Sequence, residues 1–127
     1  MVKALARGFL ALVGLLALAL FALTWFDLPR ISARLGPVAP GPLAAATLRA
    51  DMGGFFAAWA IGALGAAWRD DRTLALLPML LLGLAFAGRL YTYALTPDAA
   101  IVPPMTVEAV LFVAIGLART QLGRRRR

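Results

Sequence analysis

The sequence predicts an all-α integral membrane protein, in which a single domain of residues 1–127 forms an up-down-up-down bundle of four helices. Three observations support this fold class. The chain is 62% hydrophobic with a mean hydropathy of +0.84, which is more apolar side chain than one small water-soluble core can bury. Four apolar stretches each approach the ~20 residues that span a hydrocarbon layer. Basic residues cluster on one side of those stretches.

The composition also excludes several kinds of chemistry. The chain has no cysteine and no histidine, which excludes disulfides, thiolate or imidazole metal sites, histidine-ligated haem and Ser-His-Asp catalysis. The net charge of +7 is concentrated at the two ends and in one short loop, beside apolar segments, a pattern that favours topology control over nucleic-acid binding. We therefore expect no metal, no cofactor, no catalytic residue and no nucleic-acid partner.

The first predicted span covers residues 8–27, a nearly continuous apolar run. Lys3 and Arg7 precede it, so a cleaved signal peptide is the alternative, with residues 17–19, Ala-Leu-Ala, as the cleavage site. The run stays apolar past the point where a signal peptide becomes polar, and Trp25 is typical of an interfacial anchor. We therefore expect a retained transmembrane helix.

Residues 27–42 predict an irregular connection, because prolines and glycines recur there and interrupt any long helix. Within this connection, residues 30–35 fit one or two amphipathic helical turns, with Ile31 and Leu35 at the lipid boundary and the two arginines towards the head groups. A solvated loop without a helix is equally compatible with the sequence.

The second span is predicted at residues 46–68, with a start as early as Pro42 or nearer Leu48. Small residues recur at every fourth position along it, a spacing that lets another helix approach closely. They are Gly54, Ala58, Gly62 and Ala66. We interpret this stripe as a packing surface rather than a ligand site.

The third and fourth spans are predicted at residues 74–95 and 105–122. A charged turn at residues 69–72 precedes the third span, and two prolines at residues 103–104 precede the fourth. The basic run at residues 124–127 follows the last span, and this position is typical of a topology anchor that also suits anionic head groups.

The basic residues at or beyond the ends of the spans divide unequally between the two sides of the predicted bundle. Nine lie on the side of the termini and two on the other, while Arg49 and Arg89 lie within or beside the spans. The nine are Lys3, Arg7, Arg69, Arg72, Arg119 and residues 124–127, and the two are Arg30 and Arg34. Because cytoplasmic segments carry the excess of Lys and Arg, both termini are predicted to be cytoplasmic.

Polar residues near the ends of the spans form the candidate site. They are Asp27, Arg49, Asp51, Arg89, Tyr93 and Glu108. Antiparallel threading places all of them in the outer half of the membrane. An ionisable side chain costs roughly 2.5–3.5 kcal/mol in hydrocarbon, so each charge requires a partner or a function.

Spacing along the helices restricts which of these residues pair. Arg49 and Asp51 lie two positions apart, about 200° around a helix, so they cannot pair well with each other. Arg89 can reach Glu108 or Asp51 across the bundle, and Glu108 is the predicted main partner because a short loop joins their helices. Tyr93 lies four residues after Arg89 and adds a hydroxyl on the same helix face.

Three interpretations of this polar cluster stay open. It is a buried ion-pair network that fixes helix register, a polar pocket open to the outer leaflet, or a contact surface for another membrane protein. Catalysis has the least support, because the sequence contains no nucleophile motif such as Gly-x-Ser-x-Gly.

Three segments together carry a family resemblance. Residues 47–56 read Thr-Leu-Arg-Ala-Asp-Met-Gly-Gly-Phe-Phe, Gly88 and Arg89 come late in the third span, and residues 107–109 read Val-Glu-Ala at the start of the fourth. With the chain length and the four spans, they resemble the bacterial small-membrane-protein family called "domain of unknown function 4345" over nearly the whole chain. The resemblance implies a four-helix integral membrane protein and carries over no reaction, cofactor or catalytic residue. Richness in Ala, Leu and Arg indicates a high-GC bacterium and hence an inner membrane.

The leading functional hypothesis is a non-enzymatic inner-membrane protein that binds a lipid-like or small amphipathic ligand, or stabilises a membrane complex, through the outer-side cluster. Its expected partners are membrane lipids and either another membrane protein or a second copy of this chain. The alternative is a small proton-coupled multidrug-type exporter acting as a homodimer. Such exporters place their essential carboxylate in the first helix, where this chain has only Asp27 at the very end.

Overall fold

The computed structural model describes residues 1–123, and in this part of the chain it contains five α-helices and one 3₁₀ turn but no β-strand. The helices are α1 (Val2–Phe26), α2 (Leu28–Leu35), α3 (Pro42–Arg69), α4 (Leu76–Leu95) and α5 (Val102–Thr120), and the 3₁₀ turn is Ala99–Ile101. The all-α class is thereby confirmed. The predicted basic anchor at residues 124–127 lies outside the described residues.

Four helical segments are long and apolar enough to cross a membrane, as the sequence predicts. They are α1, α3, α4 and the continuous segment Ala99–Thr120 that contains α5. Two of these helices begin earlier than predicted, at Val2 and Val102, because helical hydrogen bonding continues beyond the apolar residues that hydropathy detects, and α3 begins at Pro42, the earlier of its two predicted starts. The prolines that begin α3 and α5 lie in the first turn, where the missing backbone donor has no helical partner to lose.

Between the first two long helices, the chain forms the short amphipathic helix α2, which confirms the helical alternative for this segment. Gly36 ends the helix in a left-handed conformation, with φ 93°, which glycine adopts without strain. Arg30 and Arg34 are exposed, whereas Ile31 is only 1% exposed. The expectation that Ile31 faces the lipid boundary is wrong, because the apolar face of α2 packs against the protein, with Leu28 buried one turn earlier.

The most extensive helix contact is between α1 and α3, and two glycines allow the close approach. A Cβ atom on Gly14 would lie 2.7 Å from Cγ and 3.0 Å from the backbone nitrogen of Leu64. A Cβ atom on Gly53 would lie 2.5 Å from Nε1 of Trp25. These distances are shorter than real side chains tolerate, so a side chain at either glycine would displace Leu64 or Trp25 from its present position.

The predicted stripe of small residues divides into two parts. Gly62 and Ala66 are buried, and a Cβ atom on Gly62 would lie 2.6 Å from Cδ of Pro78 near the start of α4. Gly54 is exposed, and a Cβ atom there would meet nothing within 4 Å. The packing interpretation is therefore confirmed at Gly62 and wrong at Gly54, because α4 contacts α3 near Gly62 and has diverged from it at the level of Gly54.

Polar contacts around Asp70 close one end of the helices, which we call the Asp70 end. Asp70 ends α3 with φ 56°, forms an ion pair with Lys3 and accepts a hydrogen bond from the backbone N–H of Gly123 at 3.3 Å. The hydrogen bond from the Lys3 ammonium holds the pKa of the Asp70 carboxyl below its ordinary value. Nearby, Nε of Arg7 donates to the backbone carbonyl of Ala67 at 2.7 Å. These contacts tie the start of α1 and the segment after α5 to the end of α3.

Away from the Asp70 end, the long helices separate into two pairs, α1 with α3 and α4 with α5. The buried residues of α4 are Pro78 and Leu82, and those of α5 are Ile115 and Ala118. All four lie in the halves of their helices nearest the Asp70 end, and beyond them neither helix has a fully buried residue. The helices α4 and α5 therefore contribute buried residues only in the half nearest the Asp70 end, and a cleft opens between the two pairs in the other half.

Candidate ligand-binding cleft

A cleft of about 670 Å³ lies between the two helix pairs, in the half of the bundle remote from the Asp70 end. All five helices contribute to its lining, and most of the side chains are apolar. Three aromatic residues of α3, Phe55, Phe56 and Trp59, form one wall, in which the Trp59 ring meets the Phe55 ring edge-on at a centroid distance of 6.3 Å. The charged residues of the lining are Asp51, Arg89 and Glu108.

The contact between Gly62 and Pro78 sets the levels of the residues along the cleft. At 1.5 Å per residue, Trp59 lies roughly 5 Å from this contact along α3, at the base of the cleft. Asp51 on α3 and Arg89 on α4 each lie roughly 16 Å from the same contact, at the mouth of the cleft. The base is therefore apolar and aromatic, and the charged residues of the lining lie at the mouth beside apolar ones such as Leu48.

The predicted pairing of Arg89 with Glu108 is confirmed. Nε of Arg89 donates to Oε1 of Glu108 at 2.8 Å, and the two side chains are 35% and 12% exposed. The short connection that contains the 3₁₀ turn returns the chain beside α4, so the last turns of α4 and the first turns of α5 are neighbours. The pair leaves this wall of the cleft without net charge.

Two buried polar atoms of the lining have no hydrogen-bond partner among the described residues. They are Nε1 of Trp59, a residue that is 4% exposed, and Oε2 of Glu108. A buried donor or acceptor left unpaired costs about 1–3 kcal/mol. The indole N–H can only donate and an ionised carboxylate can only accept, and neither atom is accessible to a water-sized molecule in this structure.

Sequence reasoning missed Trp59. Tryptophan concentrates at the ends of membrane spans, and Trp25 and Trp68 lie near the ends of α1 and α3. Trp59 lies instead in the interior of the predicted span at residues 46–68. A tryptophan in that position requires an acceptor for its N–H, and this requirement is the signal that identifies it.

Asp51 and Arg49 have separate surroundings. Asp51 is exposed, lines the mouth of the cleft and forms no ion pair within residues 1–123. Arg49 lies outside the lining, and its Nε donates to the backbone carbonyl of Trp25 at 3.1 Å. The two residues do not pair with each other, as their spacing predicts.

Asp27 and Tyr93 lie outside the lining of the cleft as well, so three of the six candidate residues, Asp51, Arg89 and Glu108, line the cleft. Asp27 forms an ion pair with Arg30 at 3.9 Å, because the chain turns into α2 directly after it. Tyr93 is half-buried one turn beyond Arg89, nearer the end of α4 than the lining extends. Position along a span predicts the level of a residue but not the direction in which its side chain leaves the helix.

The lining of the cleft combines three charged residues with apolar ones. With both carboxylates ionised, Asp51 and Glu108 contribute two negative charges and Arg89 one positive charge, so the mouth carries one net negative charge. Within residues 1–123, no group of three or more His, Cys, Asp or Glu side chains is placed to hold a metal ion. The described lining contains no serine, threonine, cysteine or lysine nucleophile. An apolar base and a charged mouth suit an amphipathic molecule.

Comparison of the chain with protein-family models, with curated proteins and with solved structures finds no match. The resemblance to the family called "domain of unknown function 4345" therefore stays a prediction. The functional argument rests on the geometry of the cleft.

Proposed function

We propose that this chain is an integral protein of the bacterial inner membrane, with α1, α3, α4 and α5 crossing the bilayer in up-down-up-down order and both termini in the cytoplasm. The four helices have the length and hydropathy that a bilayer requires. Lys3, Arg7 and Arg119 all contact the Asp70 end, and basic residues accumulate on the cytoplasmic side of membrane proteins. Membership of the family called "domain of unknown function 4345" is part of the same proposal.

In that orientation, the cleft opens in the outer half of the membrane and binds one lipid-like or small amphipathic molecule. The observation that carries this proposal is a cleft of about 670 Å³ with an apolar base and a charged mouth. The volume lies within the range of known ligand pockets, roughly 300–1,000 Å³. Large apolar side chains such as Leu84 and Val110 are exposed on the outer surfaces of α4 and α5, as expected of helices that face lipid.

The role that we propose is non-enzymatic. The protein holds the bound molecule, or the bound molecule stabilises a larger membrane complex that includes this chain. A proton-coupled exporter is the weaker candidate, because α1 contributes no carboxylate to the lining and Asp27, which follows its end, pairs with Arg30.

Native mass spectrometry of the protein released from membranes in mild detergent tests this function. We expect each wild-type chain to carry one bound amphipathic molecule. Ala85→Phe should lower the occupancy roughly tenfold, because Ala85 lines the cleft and a phenyl ring there overfills the space that the ligand chain takes. Ala87→Phe is the matched control, since Ala87 is exposed two positions further along α4, on the far face of that helix.

Two results would contradict the proposal. One is a wild-type protein that carries no bound molecule, and the other is an Ala85→Phe variant as fully occupied as the wild type. Far-UV circular dichroism of both variants separates a loss of binding from a loss of the helical fold.

A further inference from the structure

A second concave surface, which we call the arginine groove, lies between α1 and α3 at the Asp70 end. It has a volume of about 720 Å³ and shares no lining residue with the cleft. Its lining includes Arg7 and Gly8 of α1 and Trp68 and Arg69 of α3, and these four residues are exposed. In the proposed orientation, the arginine groove therefore opens towards the cytoplasmic leaflet of the membrane.

The charged residues that line the arginine groove are both arginines. Nε and Nη2 of Arg7 donate to two backbone carbonyls in the last turn of α3, at 2.7 and 3.3 Å, and these contacts position the guanidinium without neutralising it. Neither Arg7 nor Arg69 forms an ion pair within residues 1–123. Asp70 and Asp71 lie outside the lining, and Asp70 is paired with Lys3. The lining thus presents two positive charges and no negative one.

Apolar side chains continue from the arginine groove towards the membrane interior. Leu15 lies seven residues after Gly8 on α1, and Ile61 lies seven residues before Trp68 on α3. Seven residues are close to two helical turns, so Leu15 and Ile61 share the helix faces of the groove residues, and both are exposed. This surface changes from cationic to apolar over roughly 10 Å, with the exposed Trp68 at the cationic end, where tryptophan is typical of a membrane interface.

We propose that the arginine groove binds an anionic phospholipid of the cytoplasmic leaflet, with its phosphate at Arg7 and Arg69 and an acyl chain against Leu15 and Ile61. Arginine suits this role because its N–H groups match the geometry of phosphate oxygens. A zwitterionic phospholipid also presents a phosphate, but its ammonium group finds no carboxylate in the lining and is repelled by the arginines. The inference rests on the proposed membrane insertion and is independent of the ligand in the cleft.

Native mass spectrometry of detergent-purified protein, after lipid is added back, tests the head-group preference. The arginine groove is open along its side, so its lipid exchanges with detergent and has to be supplied again. The probes are phosphatidylglycerol and phosphatidylethanolamine with identical oleoyl chains, at equal concentration. We expect bound phosphatidylglycerol to exceed phosphatidylethanolamine roughly fivefold, a modest ratio because the arginines are exposed and partly screened.

Removing one arginine should weaken this preference. Arg69→Gln is expected to lower the ratio of the two bound lipids at least twofold, because half of the charge in the lining is lost. Arg34→Gln is the matched control, since Arg34 is an exposed arginine of α2 outside the arginine groove and should leave the ratio unchanged.

Filling the arginine groove should lower binding without disturbing the fold. Gly8→Phe is expected to reduce bound phosphatidylglycerol roughly fivefold, because a Cβ atom at Gly8 meets nothing within 4 Å and the phenyl ring has room to occupy the space of the lipid. Gly54→Phe is the matched control, at an exposed helical glycine that is equally open and lines neither the groove nor the cleft. Far-UV circular dichroism checks that both variants are folded.

The outcomes separate this inference from the proposed function. Equal binding of the two lipids by wild-type protein, an unchanged ratio in Arg69→Gln, or equal binding of phosphatidylglycerol by Gly8→Phe and Gly54→Phe would each overturn the inference and leave the cleft proposal standing. Loss of phosphatidylglycerol in Ala85→Phe, with full binding in Gly8→Phe, would place the lipid in the cleft, which overturns the inference and supports the proposed function.

Discussion

Arg89→Leu is expected to lower the free energy of unfolding by up to about 3 kcal/mol, the lower end of the range for a buried ion pair, because the Arg89 side chain is 35% exposed. The substitution takes away the guanidinium that lies 2.8 Å from Oε1 of Glu108, a side chain that is 12% exposed. Oε2 of the same carboxylate has no partner in the described part of the chain, so nothing compensates the charge that remains. Unfolding in mixed micelles, followed by circular dichroism, measures the change.

Arg89→Leu combined with Glu108→Leu should recover most of this loss, because two apolar side chains replace a pair whose desolvation offsets much of its attraction. Arg49→Leu is the control. Arg49 is exposed and bonds to a backbone carbonyl, so we expect it to cost less than about 1 kcal/mol. A double variant as unstable as the sum of the two single variants would contradict a direct energetic pairing of Arg89 with Glu108.

Gly62→Leu is expected to disrupt the contact between α3 and α4. A Cβ atom at this position would lie 2.6 Å from Cδ of Pro78 and 3.1 Å from the backbone carbonyl oxygen of Leu74, and neither atom can move without displacing the chain at the start of α4. Overpacking typically costs about 1–3 kcal/mol, and we expect at least the upper value because backbone and a proline ring block the side chain. Thermal unfolding in detergent measures the effect.

Gly54→Leu is the matched control for Gly62→Leu. It makes the same substitution on the same helix, at a position where a Cβ atom would meet nothing within 4 Å. Leu80→Ala should also have a small effect, because Leu80 is exposed. Equal melting temperatures for Gly62→Leu and Gly54→Leu would show that α4 does not pack against Gly62.

Hydropathy and charge were sufficient to predict much of this structure. Each of the four long helices contains an apolar run that few other structures accommodate, so their number and order follow from the sequence. The pairing of Arg89 with Glu108 follows from chemistry, because an arginine cannot lose its charge and the short connection leaves Glu108 within reach.

Helix rotation and divergence were not predictable in the same way. Gly54 and Gly62 are equivalent in the sequence stripe, yet α4 contacts α3 beside Gly62 and has diverged at Gly54. The close contact of α1 with α3 depends on Gly14 and Gly53, and which glycine faces a neighbour depends on side chains contributed by the other helix. Such information belongs to the assembled bundle and not to one segment.

The candidate site was predictable to a similar extent. Asp51, Arg89 and Glu108 can be identified from the sequence because they are charged residues within or beside apolar segments, and all three line the cleft. Trp59 cannot be identified in this way, because most of its side chain is apolar and its single N–H has little weight in a hydropathy scale. Asp27 lies outside the cleft because the chain turns into α2 directly after it. The prolines and glycines of this connection did not predict where that turn would occur.

Cysteine labelling tests most directly the central claim, that the bundle spans a membrane with the cleft on its outer side. The chain has no native cysteine, so single substitutions report their own positions. Val38 is 79% exposed in the connection before α3, on the side of the cleft, and Thr73 is exposed in the turn at the Asp70 end. In intact spheroplasts, a membrane-impermeant maleimide should label Val38→Cys at once and Thr73→Cys only after permeabilisation. Labelling of Thr73→Cys with protection of Val38→Cys would contradict the orientation, and labelling of both before permeabilisation would contradict the four-span topology.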